Sequence, residues 1–344
     1  MSSSTINSDH RSPLMQSNYK LFTELLSTLP KLNRNNPPVD LYQYQGFWYL
    51  PKVLEGVIQV QQQFQARPTD IIIAGWPKTG NTWLKALCFA IATRKQHNQT
   101  KNPLLTNLPH NLVPILEVEI LNNPKIRETL HHSVLSTHMP YTSLPKSITT
   151  SGCKIIYICR DPKDTFVSFY HFFRRSHVLS TSAGGSITDL NSSFHDEFDL
   201  FCEGKTSAGS FWDHVLGYYK ASLDRPDMFL FLKYEGLVED PVFYVKKLAR
   251  YMDIPFSVEE ELEGIPEKIV KMCSFESLSG LEVNKTGKYY VHESYMLDNN
   301  SFFRKGNIGD WKNHLTPEMA KKIDEIAAER LGGFGFSFGQ PTAP

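Results

Sequence analysis

The chain has 344 residues, 41% of them hydrophobic, enough for the core of one large α/β domain. Lys plus Arg and Asp plus Glu number 36 each, so no net charge draws it to nucleic acid or an acidic membrane, and any anion site must be a local cluster of cations. The five cysteines, Cys88, Cys153, Cys159, Cys202 and Cys273, include no CxxC pair, and no HExxH or EF-hand pattern appears, so neither a disulfide framework nor a metal site is indicated.

Residues 1–17 are polar and read as a disordered tail, without the apolar stretch of a signal peptide or the arginines of a transit peptide. Residues 18–344 are expected to form one domain, and with no apolar run near the ~18 residues of a membrane span, a cytoplasmic protein is predicted. "LFTELLSTLP" has helical spacing and stops at Pro30; "QGFWYLPKVLEGVIQVQQQF" begins aromatic and becomes an amphipathic helix. Four short apolar runs read as strands: Ile71–Ala74, "SVLST" before His138, "KIIYIC" and "MFLFLKY". Alternating with helical segments, they predict a central parallel sheet flanked by helices, with ligands beyond the carboxyl ends of the strands. Asp161–Pro162 and Asp240–Pro241 are helix starts, an N-cap followed by proline at the first helical position. The segments 176–200 and 284–301 read as long loops of the kind that cover sites.

The stretch "GWPKTGNTW" joins the first strand to an apolar helix, the setting of a phosphate-binding loop. Gly80 permits φ > 0 and close approach of a ligand, while Thr79, Asn81 and Thr82 are candidate side-chain donors. The usual nucleotide-loop ending, Gly-Lys-Ser/Thr, is missing, and the lysine lies earlier, at Lys78. Nothing after Gly80 obviously holds Mg²⁺, which suits a smaller anion whose bridging oxygen one lysine can meet. Three readings stand at this point: such an anion site, a kinase or NTPase whose metal-binding acid would be Asp161, and a lysine in an ordinary turn before a core helix.

"PKTGNTWLKAL" resembles the 5′-phosphosulfate loop of the soluble sulfotransferases. "STHMPYTSLP" is similar to the segment with the catalytic histidine, "KIIYICRDPKDTFVSFYHF" to the 3′-phosphate site, and "FFRKGNIGDWKNHLTPEMA" to the C-terminal nucleotide signature. The four occur in the family's order between about Asp70 and Trp311, and "QGFW", "HNLVPILE" and "LTPEMA" resemble the plant branch. The resemblance implies a P-loop-like α/β domain, 3′-phosphoadenosine 5′-phosphosulfate (PAPS) as co-substrate and no metal. It implies that Lys78, Thr79, Gly80, Asn81, Thr82 and Trp83 hold the 5′ end. Arg160, Ser168, Arg304, Lys305 and Gly306 would hold the 3′-phosphate, and Tyr234, Ser274 and Phe275 the base. His138 would be the general base and Lys78 would assist departure of the phosphate.

The implied partner is a small acceptor with a hydroxyl, neither nucleic acid nor membrane. A phenolic or flavonoid compound is favoured, with hydroxyjasmonates, steroid-like hormones and desulfoglucosinolates as the other plant acceptors. The chain departs from the family at Asn81, where threonine is usual, and at Ser136, where animal members often carry lysine. It also departs at a dimerisation pattern that reads Lys312, Thr316, Pro317, Lys321, so a monomer or weak homodimer is expected. A member that binds the donor without transferring anything is the third class to be tested.

Overall fold

The computed structural model describes residues 13–35, 38–97, 100–123, 134–175, 177–179, 187–188, 193–292 and 295–338. Residues 1–12, and much of the loop expected at 176–200, lie outside them. The helix expected around Leu21–Leu29 runs Pro13–Thr28. It leads into three antiparallel strands, β1 (Lys31–Asn35), β2 (Pro38–Tyr44) and β3 (Phe47–Tyr49), and then the helix Pro51–Gln63.

The predicted strands follow as β4 (Ile71–Ala74), β5 (Val134–Thr137) and β6 (Lys154–Cys159). After the short β7 (His177–Leu179) and β8 (Ile187–Thr188) comes β9 (Phe229–Lys233). The central sheet has the order β5-β4-β6-β9, every pair parallel. Alternate residues sort onto two cores, as the period of two requires. Ile72, Leu135, Ile155 and Tyr157 pack with Trp76, Phe211 and Trp212. Ile71, Ile73, Val134 and Ile156 pack against Leu84 and Leu87 of the helix Asn81–Thr93 and Val245 and Leu248 of the helix Pro241–Tyr251. Ala74 pairs with Thr137 and Tyr157, and Cys159 with Lys233. The strands therefore end along one edge, and the next residues on that edge are the Gly75–Gly80 loop, His138, Arg160 and Tyr234.

Both predicted caps form: Asp161 accepts from the N–H groups of Lys163 and Asp164, and Asp240 from that of Phe243. Two expectations need correction. The segment 176–200 is not all loop, because Phe194–Glu203 is a helix capped by Ser193, with Phe198 and Phe201 buried against Phe166. Nor is 284–301, which supplies β10 (Lys288–His292) and β11 (Tyr295–Asp298). They form a second sheet of order β10-β11-β7-β8, all antiparallel. All five cysteines are buried, and burial pushes the thiols of Cys88, Cys159, Cys202 and Cys273 up. Among the described residues, no helix is long and apolar enough to cross a membrane.

Candidate active site

The β4 loop is bent by two left-handed residues, Lys78 at φ 71° and Gly80 at φ 111°. At Gly80 a side chain is excluded twice, since a Cβ would lie 2.6 Å from Tyr234 Cδ2 and 3.0 Å from Ile158 Cδ1. The Thr79 hydroxyl donates to the Trp76 carbonyl at 2.8 Å; the Asn81 amide donates to the same carbonyl at 2.8 Å and to Thr79 Oγ1 at 3.1 Å. Two of the three expected side-chain donors thus brace the bend instead of pointing outward. Thr79 is fully buried and does not reach the cavity, whereas Asn81 and Thr82 line it.

That cavity, of about 440 Å³, brings together Lys78, Gly80, Asn81, Thr82, Trp83, His138, Arg160, Ser168, Tyr234, Ser274, Phe275, Arg304, Lys305 and Gly306. Segments more than two hundred residues apart converge on it. The Lys78 ammonium lies 4.0 Å from the Phe172 ring centroid and 5.6 Å from that of Phe302. Burial, then the charges of Arg304, Arg160 and Arg175, bring its pKa down from an ordinary 10.5 to about 7. A desolvated amine beside arginine charges is a setting that an anion would neutralise.

Arg160 is 6% exposed; its guanidinium sits 4.7 Å from the Tyr234 ring centroid and donates to the Asn307 carbonyl at 2.8 Å. The Tyr234 hydroxyl donates to the Gly306 carbonyl at 2.9 Å. Gly306, at φ 69°, meets Phe275 so closely that a Cβ would be 2.4 Å from its ring. The Arg304–Gly306 arm is docked by buried Asp164, which accepts from Gly309 N–H at 2.7 Å and Trp311 N–H at 3.0 Å. Asp310 aligns the arm's cations, meeting Arg304 at 2.5 Å and Lys305 at 2.6 Å. Although its burial works the other way, Lys305 and Arg304 hold its carboxyl well below the usual carboxylate range. The buried Nε atoms of Arg160 and Arg304 keep no hydrogen-bond partner among the described residues.

His138 follows β5. Its Nδ1 is 2.6 Å from the Gly75 carbonyl, and a carbonyl can only accept, so Nδ1 carries the proton and Nε2 keeps a lone pair. Burial and the Lys85 charge bring its pKa down to about 4, so the ring is neutral near pH 7. Glu117 fixes the turn, accepting from the His138 backbone N–H at 2.6 Å and the Thr137 hydroxyl at 2.9 Å. His214 donates through Nε2 to the His138 carbonyl at 3.1 Å while its Nδ1 accepts from Tyr157. Ser136, two residues earlier, is buried and donates to the Pro114 carbonyl at 2.8 Å. Glu117, His214 and the fully buried Lys85 are not among the residues singled out from the sequence, although Glu117 ends "HNLVPILE" and Lys85 lies in "PKTGNTWLKAL". Beyond His138 the walls turn apolar, with Tyr49, Val53, Val118, Phe173 and Leu297.

A family model, the sulfotransferase domain, matches residues 68–335. The chain is 47% identical over 317 residues to a flavonol 3-sulfotransferase of Flaveria bidentis, covering 91% of this chain and 98% of that one. It is 43% identical over 323 residues to cytosolic sulfotransferase 17 of Arabidopsis thaliana, covering 93% and 91%. Among solved structures it resembles an Arabidopsis thaliana sulphotransferase, with TM-score 0.72, 32% identity and coverage of 98% and 100%. It also resembles the mouse sulfotransferase SULT7A1 complexed with PAP, with TM-score 0.63, 26% identity and coverage of 85% and 94%.

Proposed function

The chain belongs to the sulfotransferase domain family, within its plant cytosolic members, and on that premise we propose that it moves the sulfuryl group of PAPS to a phenolic hydroxyl of a flavonoid-like acceptor in the cytosol. One observation carries the reading: His138, held as a neutral base through Nδ1 and the Gly75 carbonyl, shares one cavity with Lys78.

The donor fits the cationic half. Arg160 and Arg304 each keep an unpartnered buried nitrogen there, and the Gly80 bend leaves a cradle that any Cβ would fill. The loop N–H groups and Lys78 take the 5′-phosphosulfate, with Asn81, Thr82 and Trp83 alongside and Thr79 shaping the bend from within. Arg160, Ser168, Arg304, Lys305 and Gly306 take the 3′-phosphate, as bidentate guanidinium donors suit a dianion. Tyr234, Ser274 and Phe275 flank the base.

In the transfer, an acceptor hydroxyl oxygen forms a new S–O bond while the S–O bond to the 5′-phosphate oxygen breaks. His138 Nε2 takes the hydroxyl proton. The electron pair of the broken bond stays on the phosphate, where Lys78 and the loop N–H groups meet the developing charge. Negative donor charge beside Lys78 restores its protonated form. Fixed positions for both reactants supply much of the remaining acceleration.

The Flaveria flavonol 3-sulfotransferase and the apolar walls beyond His138 favour a flavonoid acceptor over hydroxyjasmonates, steroid-like alcohols and desulfoglucosinolates. A screen of these four classes with ³⁵S-labelled PAPS tests this, and labelled flavonol sulfate is the expected product. Donor binding with no transfer to any class would leave a non-catalytic binder, and magnesium-dependent ATP hydrolysis would point to a kinase or NTPase. A monomer or weak homodimer is expected in sedimentation, since Thr316 caps the helix Pro317–Leu331 and Lys321 is strongly exposed and paired with Glu325 of its own helix.

A further inference from the structure

The acceptor half of the cavity holds one side chain that transfer does not use. His110 lies in the short helix Pro109–Leu112 and is 3% exposed, yet it lines the cavity. Its ring is 4.2 Å from Phe302, tilted by 37°, and 5.6 Å from Tyr289. Phe302 also lies under the Lys78 ammonium, which ties His110 to the reacting end of the pocket. The buried Nδ1 has no hydrogen-bond partner among the described residues.

Lys85, whose charge acts on it most strongly, likewise has no hydrogen-bond partner among the described residues, whereas two other polar pairs are engaged. Tyr289 donates to Glu119 at 3.0 Å, and the hydroxyls of Tyr49 and Ser143 are 3.4 Å apart. Trp83, Arg160 and Arg304 also carry unpartnered buried nitrogens, but they belong to the half around Tyr234 and Gly306. Burial, followed by the charges of Lys85, His138 and Lys78, keeps the His110 ring neutral, and Glu117 lines the same cavity. A neutral imidazole offers one N–H and one lone pair, so it can meet either a hydroxyl or a ring carbonyl. A buried polar atom without a partner is unfavourable unless a ligand supplies one.

We propose that His110 is a specificity-determining residue: it hydrogen-bonds a second hydroxyl of the aromatic acceptor, distant from the hydroxyl that is sulfated. The acceptor is then selected as a polyoxygenated ring system, with Phe302 as the wall that holds both it and the imidazole. This rests on the aromatic-acceptor reading above.

The test is binding, measured by calorimetry in the presence of PAP, so that it does not depend on turnover. Quercetin, with several hydroxyls, is compared with 3-hydroxyflavone, which has one. The wild type should prefer quercetin by about tenfold, the scale of one well-made hydrogen bond. His110→Phe, which keeps the ring stack, should lower that preference by about the same factor, while PAP affinity stays within about twofold. His110→Gln, which keeps a donor and an acceptor, should restore part of it. Where the Phe variant no longer binds PAP, His110→Leu takes its place in the comparison. Equal loss of both flavonols, an unchanged preference, or no flavonol binding by the wild type would each overturn the proposal. Failure of the sulfotransferase reading shows separately, as absence of labelled product from any acceptor.

Discussion

Lys78 is held in the apo protein at the expense of stability, and removing its charge should make the fold stronger while stopping the reaction. The side chain sits in the left-handed region and its pKa falls from 10.5 to about 7. At roughly 1.4 kcal/mol per pH unit, that depression corresponds to an upper limit of about 5 kcal/mol against the charged amine. The amine keeps some contact with solvent, which leaves on the order of half of that, and the face of Phe172 at 4.0 Å returns about 1 kcal/mol. Lys78→Met, which retains the stem, should therefore gain about 1–2 kcal/mol at pH 6. The sign follows from protonation. Below pH 7 both folded and unfolded chains hold the proton and the cost is complete. Between pH 7 and 10.5 the folded chain releases it first, so the cost fades and the wild type closes on the variant. Lys78→Gly should relieve the backbone by about 1 kcal/mol at every pH but forfeit the packing of the stem, and so should fall short of the Met variant. Urea unfolding at pH 6 and pH 9.5 measures both terms. Steady-state assays with PAPS should show kcat lowered by about 10²–10³-fold, with a smaller loss of donor affinity. A Met variant no more stable than wild type at pH 6, or a gain independent of pH, would refute this account of the amine.

His138→Ala should cut kcat by about 10²–10⁴-fold and leave PAP affinity within a few-fold, as calorimetry would show. Because the His138 pKa lies near 4, kcat/KM of the wild type for the acceptor should stay level from pH 8 down to about pH 5.5, the base being already unprotonated there; an acid limb near pH 6.5 would contradict its buried setting. Gly80→Ala drives a methyl to within 2.6 Å of Tyr234 at φ 111°, so PAP affinity should fall about tenfold or more in fluorescence titration. Asp310→Asn removes the shared counter-charge of Arg304 and Lys305 and should lower stability by about 2–3 kcal/mol in urea, with no comparable loss when Lys321 is replaced by alanine.

The sheet was legible because its strands are short apolar runs buried on both faces; Ile71–Ala74 and Lys154–Cys159 need no partner to be recognised. The cationic half was legible because each group sits at a strand end or in a motif of fixed order, and all but Thr79 of the expected residues meet in one cavity. What failed depends on distance along the chain. β11 pairs with β7 across more than a hundred residues, a pairing that no local pattern announces. Asn81 lines the cavity as expected, and its second task, bracing the bend through the Trp76 carbonyl, shows only in the closed loop. Glu117 and His110 stand at the two ends of "HNLVPILE", but their contacts come from what β5 and Phe302 bring beside them. The helix Phe194–Glu203 was the avoidable miss, for Phe194, Phe198 and Phe201 recur at helical spacing within an acidic stretch.

The interior placement of every cysteine has a practical result. Maleimides attack the ionised sulfur, and here ionisation is suppressed wherever a thiol lies deep in the packing. Native molecules should be nearly inert to alkylation, so the rate of adduct formation becomes a clock for spontaneous opening, and added nucleotide should slow that clock by a factor of one plus the ratio of free nucleotide concentration to Kd.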